Sequence, residues 1–218
     1  MSSSASPDIV TNGLVLCLDA ADKRSYPGSG TTWFDRSGRG NNGTLINSPT
    51  YDSNNGGSIV FNGTNNYVSC GNIMPLNAYT KCIFFKILNL GAPNNLMSGG
   101  NDGTHYFYPA AGSYLKAGHF QDGEVTSNTP ILANTWYHGV VTFSTTLGFS
   151  IYQNGINVGN LLATANFAGG NILHIGSYTT QNYLLNGIVS SAQVYNRVLT
   201  PQEIKQNFNA TKSKFNIL

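Results

Sequence analysis

Trp136–Gly155 reads WYHGVVTFSTTLGFSIYQNG, and this stretch decides the fold. Val140, Val141, Thr142 and Phe143 favour extended backbone, Ser144–Gly148 interrupts the run, and Phe149–Tyr152 resumes it before Asn154-Gly155. Asn-Gly supplies two residues that accept positive φ, which a tight hairpin turn between twisted strands demands. If Ile156–Leu162 pairs back after that turn, the segment is a three-strand meander with an apolar face that the rest of the chain must cover.

Toward the N-terminus the same pattern recurs in shorter pieces. In Gly13–Ala20, GLVLCLDA, Leu14, Leu16 and Leu18 alternate with Val15 and Cys17, so both faces are apolar and a central strand is expected. Ser25–Asn47 carries five glycines and Pro27, which predicts a long packed loop without regular structure. Ser58–Phe61 and Tyr67–Cys70 form a hairpin around Asn62–Asn66, whose side-chain amides read as turn caps, with a calcium site as the alternative. Cys82–Leu88, His105–Tyr108, Tyr114–Phe120 and Glu124–Thr126 add strands at short spacing, and Ile172–Gly176 and Gly187–Tyr195 add two more. One helix is expected: Thr200-Pro201-Gln202-Glu203 supplies an N-cap, a proline at the first helical position and a capping-box glutamate. Ile204 and Phe208, four apart, can dock this two-turn helix on the sheets.

These elements predict an all-β fold, an antiparallel β-sandwich with one short C-terminal helix, within the single-domain range for 218 residues. The expected layout is a flexible Ser-rich arm over 1–12, the sandwich over 13–209 and a tail over 210–218. Only 9% of residues are charged and the formal net charge is +2, with no basic stripe, which argues against nucleic acid or an anionic membrane surface. The start MSSSASPDIV lacks the basic and apolar regions of a signal peptide, so synthesis in the cytosol is expected. Cys17, Cys70 and Cys82 lie in strand-like runs and read as small buried hydrophobes.

The residues also carry a resemblance. Gly13–Asp19, Ser58–Gly63 with Asn66-Tyr67-Val68, Trp136–His138 with Val141-Thr142, Ile151–Gly155, Leu173–Gly176 and Val194–Pro201 follow one another in an order that resembles a laminin-G/concanavalin-A-like lectin/glucanase jelly roll. The Gly-rich loop and Asn-rich neutral surface are similar to versions found in bacteriophage structural proteins. That resemblance implies a non-enzymatic protein of the virion exterior, as capsid decoration or on a tail or fibre. It would be repeated on a particle as a homo-oligomer, docking on other virion proteins and binding host polysaccharide. The alternatives are a carbohydrate-binding module without a virion role and, behind it, a polysaccharide lyase or hydrolase. Family members commonly carry acids where this chain has Val189-Ser190-Ser191 and Asn62, which leaves Asp19 and Asn62 as the calcium candidates.

Catalysis finds little purchase. Glycoside hydrolysis needs two carboxyls across a cleft, and among nine acids only Asp122 and Glu124 are close in a strand region, at what reads as a hairpin tip. Tyr114–Gln121 faintly resembles a strand of jelly-roll alginate lyases, which draws attention to His119. Trp33, Tyr106, Tyr108, Tyr114 and Tyr178, with His119, are the candidate carbohydrate contacts, because an aromatic face suits the C–H face of a sugar ring. Packing in a tyrosine-rich sandwich is the alternative for each. His138, beside Trp136, reads as a hydrogen-bonded core or edge histidine.

Overall fold

The computed structural model describes residues 8–91, 94–99, 105–110, 113–119, 123–162, 172–178 and 183–217. The meander forms as expected: Trp136–Ser144 pairs with Gly148–Gln153, which pairs with Ile156–Leu161, all antiparallel. Asn154 and Gly155 have φ of 52° and 79°, so both turn residues occupy the left-handed region that a two-residue hairpin requires.

In chain order the strands are Leu14–Asp19 (β1), Thr32–Trp33 (β2), Gly43–Ile46 (β3), Thr50–Asp52 (β4), Ser58–Asn62 (β5), Tyr67–Asn72 (β6), Ala78–Ile87 (β7) and Met97–Ser98 (β8). They continue as Tyr106–Pro109 (β9), Tyr114–His119 (β10), Gly123–Pro130 (β11), Trp136–Ser144 (β12), Gly148–Gln153 (β13), Ile156–Leu161 (β14), Ile172–Ile175 (β15) and Asn186–Tyr195 (β16). The helix is Pro201–Thr211 (α1). One sheet runs β14-β13-β12-β7-β16-β5-β4, with β1 also on β16. The other layer runs β2-β3-β6-β15-β8 and continues into β9-β10-β11, because Leu96 N–H donates to Phe107 C=O and Gly99 N–H to His105 C=O. Period-two alternation sends Phe61, Val68, Ile83, Phe85, Phe107, Leu115, Val141, Phe143, Ile175 and Val189 into the space between the layers.

Strand β16 organises the first sheet. One edge pairs with β7; along the other, β5 takes Asn186–Val189 and β1 takes Ser191–Tyr195. A bulge at Ser190 marks the handover, where its hydroxyl donates to Gly57 C=O and its own C=O accepts from Ala20 N–H. Strand β1 therefore has one strand neighbour and is not central. Both its faces are buried as expected, but its free edge is covered by the loop after β2. Asp35 accepts from Cys17 N–H, Ser37 N–H, the Ser37 hydroxyl and Asn41 N–H, and Arg36 N–H donates to Cys17 C=O. Burial opposes the charge on Asp35, yet these hydrogen bonds outweigh it and hold the carboxyl below the usual range. Ser25–Asn47 is also more regular than its glycines suggested, since β2 and β3 lie within it and seat Trp33 in the core.

The outer face of the first sheet is covered by α1, three turns long rather than two. Its capping box is complete: Glu203 N–H donates to the Thr200 hydroxyl, and the Glu203 carboxylate accepts from Thr200 N–H and from Arg197. Ile204 and Phe208 dock as expected, Phe208 beside Phe84 and His138. The tail does not stand apart, for Lys212–Phe215 forms a 3-10 turn that stacks Phe215 on Phe84 at 5.0 Å. Nor are residues 8–12 a loose arm. The Asn207 side chain accepts from Val10 N–H and donates to the Tyr195 hydroxyl, which donates to Val10 C=O. Gln206 and Arg197 hold Asp8 and Asn12 by their carbonyls. The three cysteines are free and buried, as expected of small hydrophobes.

Candidate functional site

In the three-stranded end of the second layer, residues facing one another across the strands share a face. Lys116 lies opposite Tyr108 and Thr126, and Gly118 opposite Tyr106 and Glu124. The outer face of β9–β11 thus presents Tyr106, Tyr108, Lys116, Glu124 and Thr126, while Phe107, Leu115, Ala117 and Val125 point into the core. Tyr106 and Tyr108 meet edge to face at 5.6 Å. The loop between β15 and β16 adds Tyr178 and Tyr183, also edge to face, at 5.8 Å. Tyr178 stands close enough to Tyr106, and Tyr183 to Tyr108, for each pair of phenols to interact electrostatically.

A charged pair sits among these rings. Lys116 Nζ donates to Glu124 Oε1, and the Tyr108 hydroxyl lies 3.5 Å from Glu124 Oε2. Burial, followed by the charge of Glu124, pushes both the Tyr106 and the Tyr108 phenol up, so both stay protonated donors at neutral pH. Gly118 is the floor of the cluster. A Cβ there would lie 2.3 Å from Gly123 O and 2.7 Å from the Tyr106 hydroxyl, so only glycine lets the phenol cross the strand.

The structure brings together three of the six candidate carbohydrate contacts, Tyr106, Tyr108 and Tyr178. Tyr114 is exposed at the start of β10, past a bulge, and among the described residues makes no ring contact with the other tyrosines. Two candidates are corrected. Trp33 has no exposed surface, and its ring fills the core rather than facing a ligand. His119 is one residue out of phase with Lys116 and Gly118, so it points inward. There its Nε2 lies 3.0 Å from the Tyr79 hydroxyl, between Phe143 and Phe149. Burial and the nearby Lys81 push it down to about 3. The other half of the hairpin-tip pair, Asp122, lies outside the described residues.

Sequence reasoning missed Tyr183. It is 57% exposed and has φ of 53°, a conformation costly for an aromatic residue. The available signal was a tyrosine between Asn182 and two leucines, outside any strand-like run.

The calcium candidates are also corrected. Asp19 lies opposite Ser191 and Asn62 opposite Asn186, five residues apart along β16, or about 16 Å at strand rise. They cannot ligate one ion. Asp19 is occupied by Lys214 and Ala21 N–H, and the Asn62 side-chain oxygen caps Thr64, Asn65 and Asn66 N–H, the turn role that sequence offered first. Among the described residues no group of three His, Cys, Asp or Glu side chains could hold a metal ion.

A second polar cluster lies between the layers. Lys81 is fully buried on β7, and its Nζ donates to Met97 C=O at 2.9 Å and lies 3.3 Å from His105 Nδ1. No carboxylate among the described residues pairs with it, and burial pushes the amine well below its usual range. The cluster has no opening to solvent through these residues, so it is a feature of the core.

Comparisons with known proteins agree on the architecture. Domain 4 of the GH43 extracellular arabinanase AbnA from Geobacillus stearothermophilus, solved in complex with arabinotriose, superposes with a TM-score of 0.68 at 16% identity, over 90% of this chain and 98% of that one. Trypanosoma rangeli sialidase matches with a TM-score of 0.71 at 15% identity, over 99% of this chain, which spans 37% of the sialidase. The binding domain of botulinum neurotoxin DC, in complex with rat synaptotagmin II, matches with a TM-score of 0.71 at 10% identity, over 93% of this chain and 52% of that one. At these identities the likeness is one of fold. No curated protein matches the sequence. The Laminin_G_3 family model, described as the Concanavalin A-like lectin/glucanases superfamily, matches residues 62–205, which run from the last residue of β5 to the middle of α1. With well over half of its length matched and two antiparallel layers in the corresponding arrangement, the chain belongs to the concanavalin A-like lectin/glucanase superfamily.

Proposed function

We propose that this chain is a non-catalytic carbohydrate-binding module whose platform is the outer face of β9–β11 together with Tyr178 and Tyr183. The carrying observation is the cluster of four partly exposed tyrosines around one Lys–Glu pair, with Tyr183 held outward at positive φ. Ring faces suit the C–H face of a sugar, and phenols, amine and carboxylate suit its hydroxyls. Turnover is disfavoured by the same groups. Glu124 is the one carboxylate on this face among the described residues, and hydrolysis needs two. The phenols are shifted up, away from the range of a proton-abstracting base. The arabinotriose bound to the Geobacillus domain supports the choice of a neutral oligosaccharide as first probe.

Calorimetric titration with arabinotriose and β-glucan oligosaccharides tests this. Tyr108→Ala and Tyr183→Ala are expected each to weaken binding by about 1–2 kcal/mol, five- to thirtyfold, with Tyr114→Ala near wild type. A wild-type protein that binds no glycan on a broad panel rejects the reading.

The setting we propose is the exterior of a bacteriophage particle, where the module holds the virion to host polysaccharide while docking on other virion proteins. Its support is the sequence resemblance and the low charge of 9%. The neurotoxin domain, solved with a protein partner, adds that this fold serves protein recognition elsewhere. Mass spectrometry of purified particles decides: the chain at a fixed copy number per particle supports the setting, and its confinement to the free lysate fraction excludes it.

A further inference from the structure

Among the described residues of the tyrosine platform the two charges, Lys116 and Glu124, neutralise each other. Lys116 is the one lysine or arginine between positions 100 and 131, and its ammonium is taken by Glu124 on the neighbouring strand. Both side chains remain about three-tenths exposed, at 29% and 31%, so the pair lies within reach of a ligand on the rings. The same stretch contains Asp102, Asp122 and Glu124, giving a formal charge of 1 − 3 = −2. A uronate carboxylate or a sulfate arriving at the rings would meet the Glu124 carboxylate and a lysine already engaged by it. It would have to displace Glu124 and leave that carboxylate without its counter-charge. A neutral sugar does neither, since its hydroxyls can donate to Glu124 and accept from Lys116 and the phenols without separating the pair.

We infer that the platform selects neutral over acidic glycans, and that Glu124 is the residue that sets this preference by occupying Lys116. The inference rests on the carbohydrate-binding reading and adds the ligand class to it. Glu124 also faces the Tyr108 hydroxyl, so removing its side chain would disturb the rings. Glutamine keeps the length and an acceptor oxygen while removing the charge, and so separates the two roles.

The test is calorimetry on wild type, Glu124→Gln and the double variant Glu124→Gln/Lys116→Met, with arabinotriose as the neutral probe and trigalacturonate as the acidic one. The wild type is expected to bind arabinotriose and to bind trigalacturonate at least about tenfold more weakly. Glu124→Gln should tighten trigalacturonate about tenfold or more, because one freed ammonium gains a charge-assisted contact, whereas arabinotriose, which loses a charged acceptor in this variant, should not tighten. The gain should disappear in the double variant and shrink at high salt. Arabinotriose binding with no gain of trigalacturonate in Glu124→Gln overturns the filter and leaves the carbohydrate site standing. Equal wild-type affinity for both probes overturns it too. Absence of binding to every glycan by every variant removes the site and the inference with it.

Discussion

Replacing His138 with phenylalanine is expected to stabilise the protein and to flatten its response to acid. His138 lies on β12 opposite Phe84, its ring 4.6 Å from Phe84 and 5.9 Å from Phe208 in near-parallel stacks. It is 1% exposed, and neither ring nitrogen has a hydrogen-bond partner among the described residues, unlike the bonded histidine that sequence suggested. Burial holds it down at about 3, from 6.5 in the unfolded chain. Between those values the unfolded state binds a proton that the folded state refuses, so stability is full above about 6.5 and falls as pH drops. From pH 7 to pH 5 one such group costs about 2 kcal/mol, from the two binding curves at 1.36 kcal/mol per pKa unit. His138→Phe removes that cost and two unsatisfied polar atoms, for a gain of roughly 1–2 kcal/mol at pH 7 and about 2 kcal/mol more at pH 5. Urea unfolding followed by tryptophan fluorescence at pH 5, 6 and 7 measures both terms. A variant with the wild-type pH dependence would refute the reasoning, whatever its stability at pH 7.

Other consequences can be checked alongside. Lys81→Met removes a buried amine shifted far down, a group that makes the wild type gain stability as pH rises toward 10.5; the variant-minus-wild-type difference in unfolding free energy should therefore shrink between pH 7 and 8.5. An unchanged difference would mean that Lys81 carries its ordinary charge when folded. Asn207→Leu breaks the ring of bonds joining Val10, Tyr195 and α1 and should cost about 2–4 kcal/mol, with the Val10 amide losing hydrogen-exchange protection. Retained protection at Val10 would show that the apolar contacts suffice. Gly118→Ala would press its Cβ on Gly123 O of the paired strand as well as on the Tyr106 phenol, so it should weaken the β10–β11 pairing and glycan binding together, seen as a lowered unfolding midpoint and lost affinity. Wild-type affinity would show that the Tyr106 position is not needed.

Much of the fold was legible because strands and turns leave local marks. Asn154-Gly155 announced a hairpin, the alternation around Val141 and Phe143 announced a buried face, and Thr200–Glu203 announced a capped helix start. The candidate site was half legible. Tyr106 and Tyr108 stood out by type and spacing, but Trp33 and His119 did too, and only strand phase separated them. A shift of one residue along β10 turns a side chain from solvent to core, and no composition rule encodes that shift.

Sequence alone determined the class: short alternating strands with glycine and asparagine turns, and one helix to finish. Tertiary structure decided which aromatic residues meet. Tyr178 and Tyr183 come from a loop some 70 positions after Tyr106 and Tyr108, and antiparallel pairing across β15, β8 and β9 brings them together. It also decided that Asp19 and Asn62 lie too far apart for one ion, since their separation is set by where each pairs along β16. Local propensity acts over a few residues, whereas register is fixed by partners distant in the chain, so the fold class can be read from the string and the site has to be assembled in space.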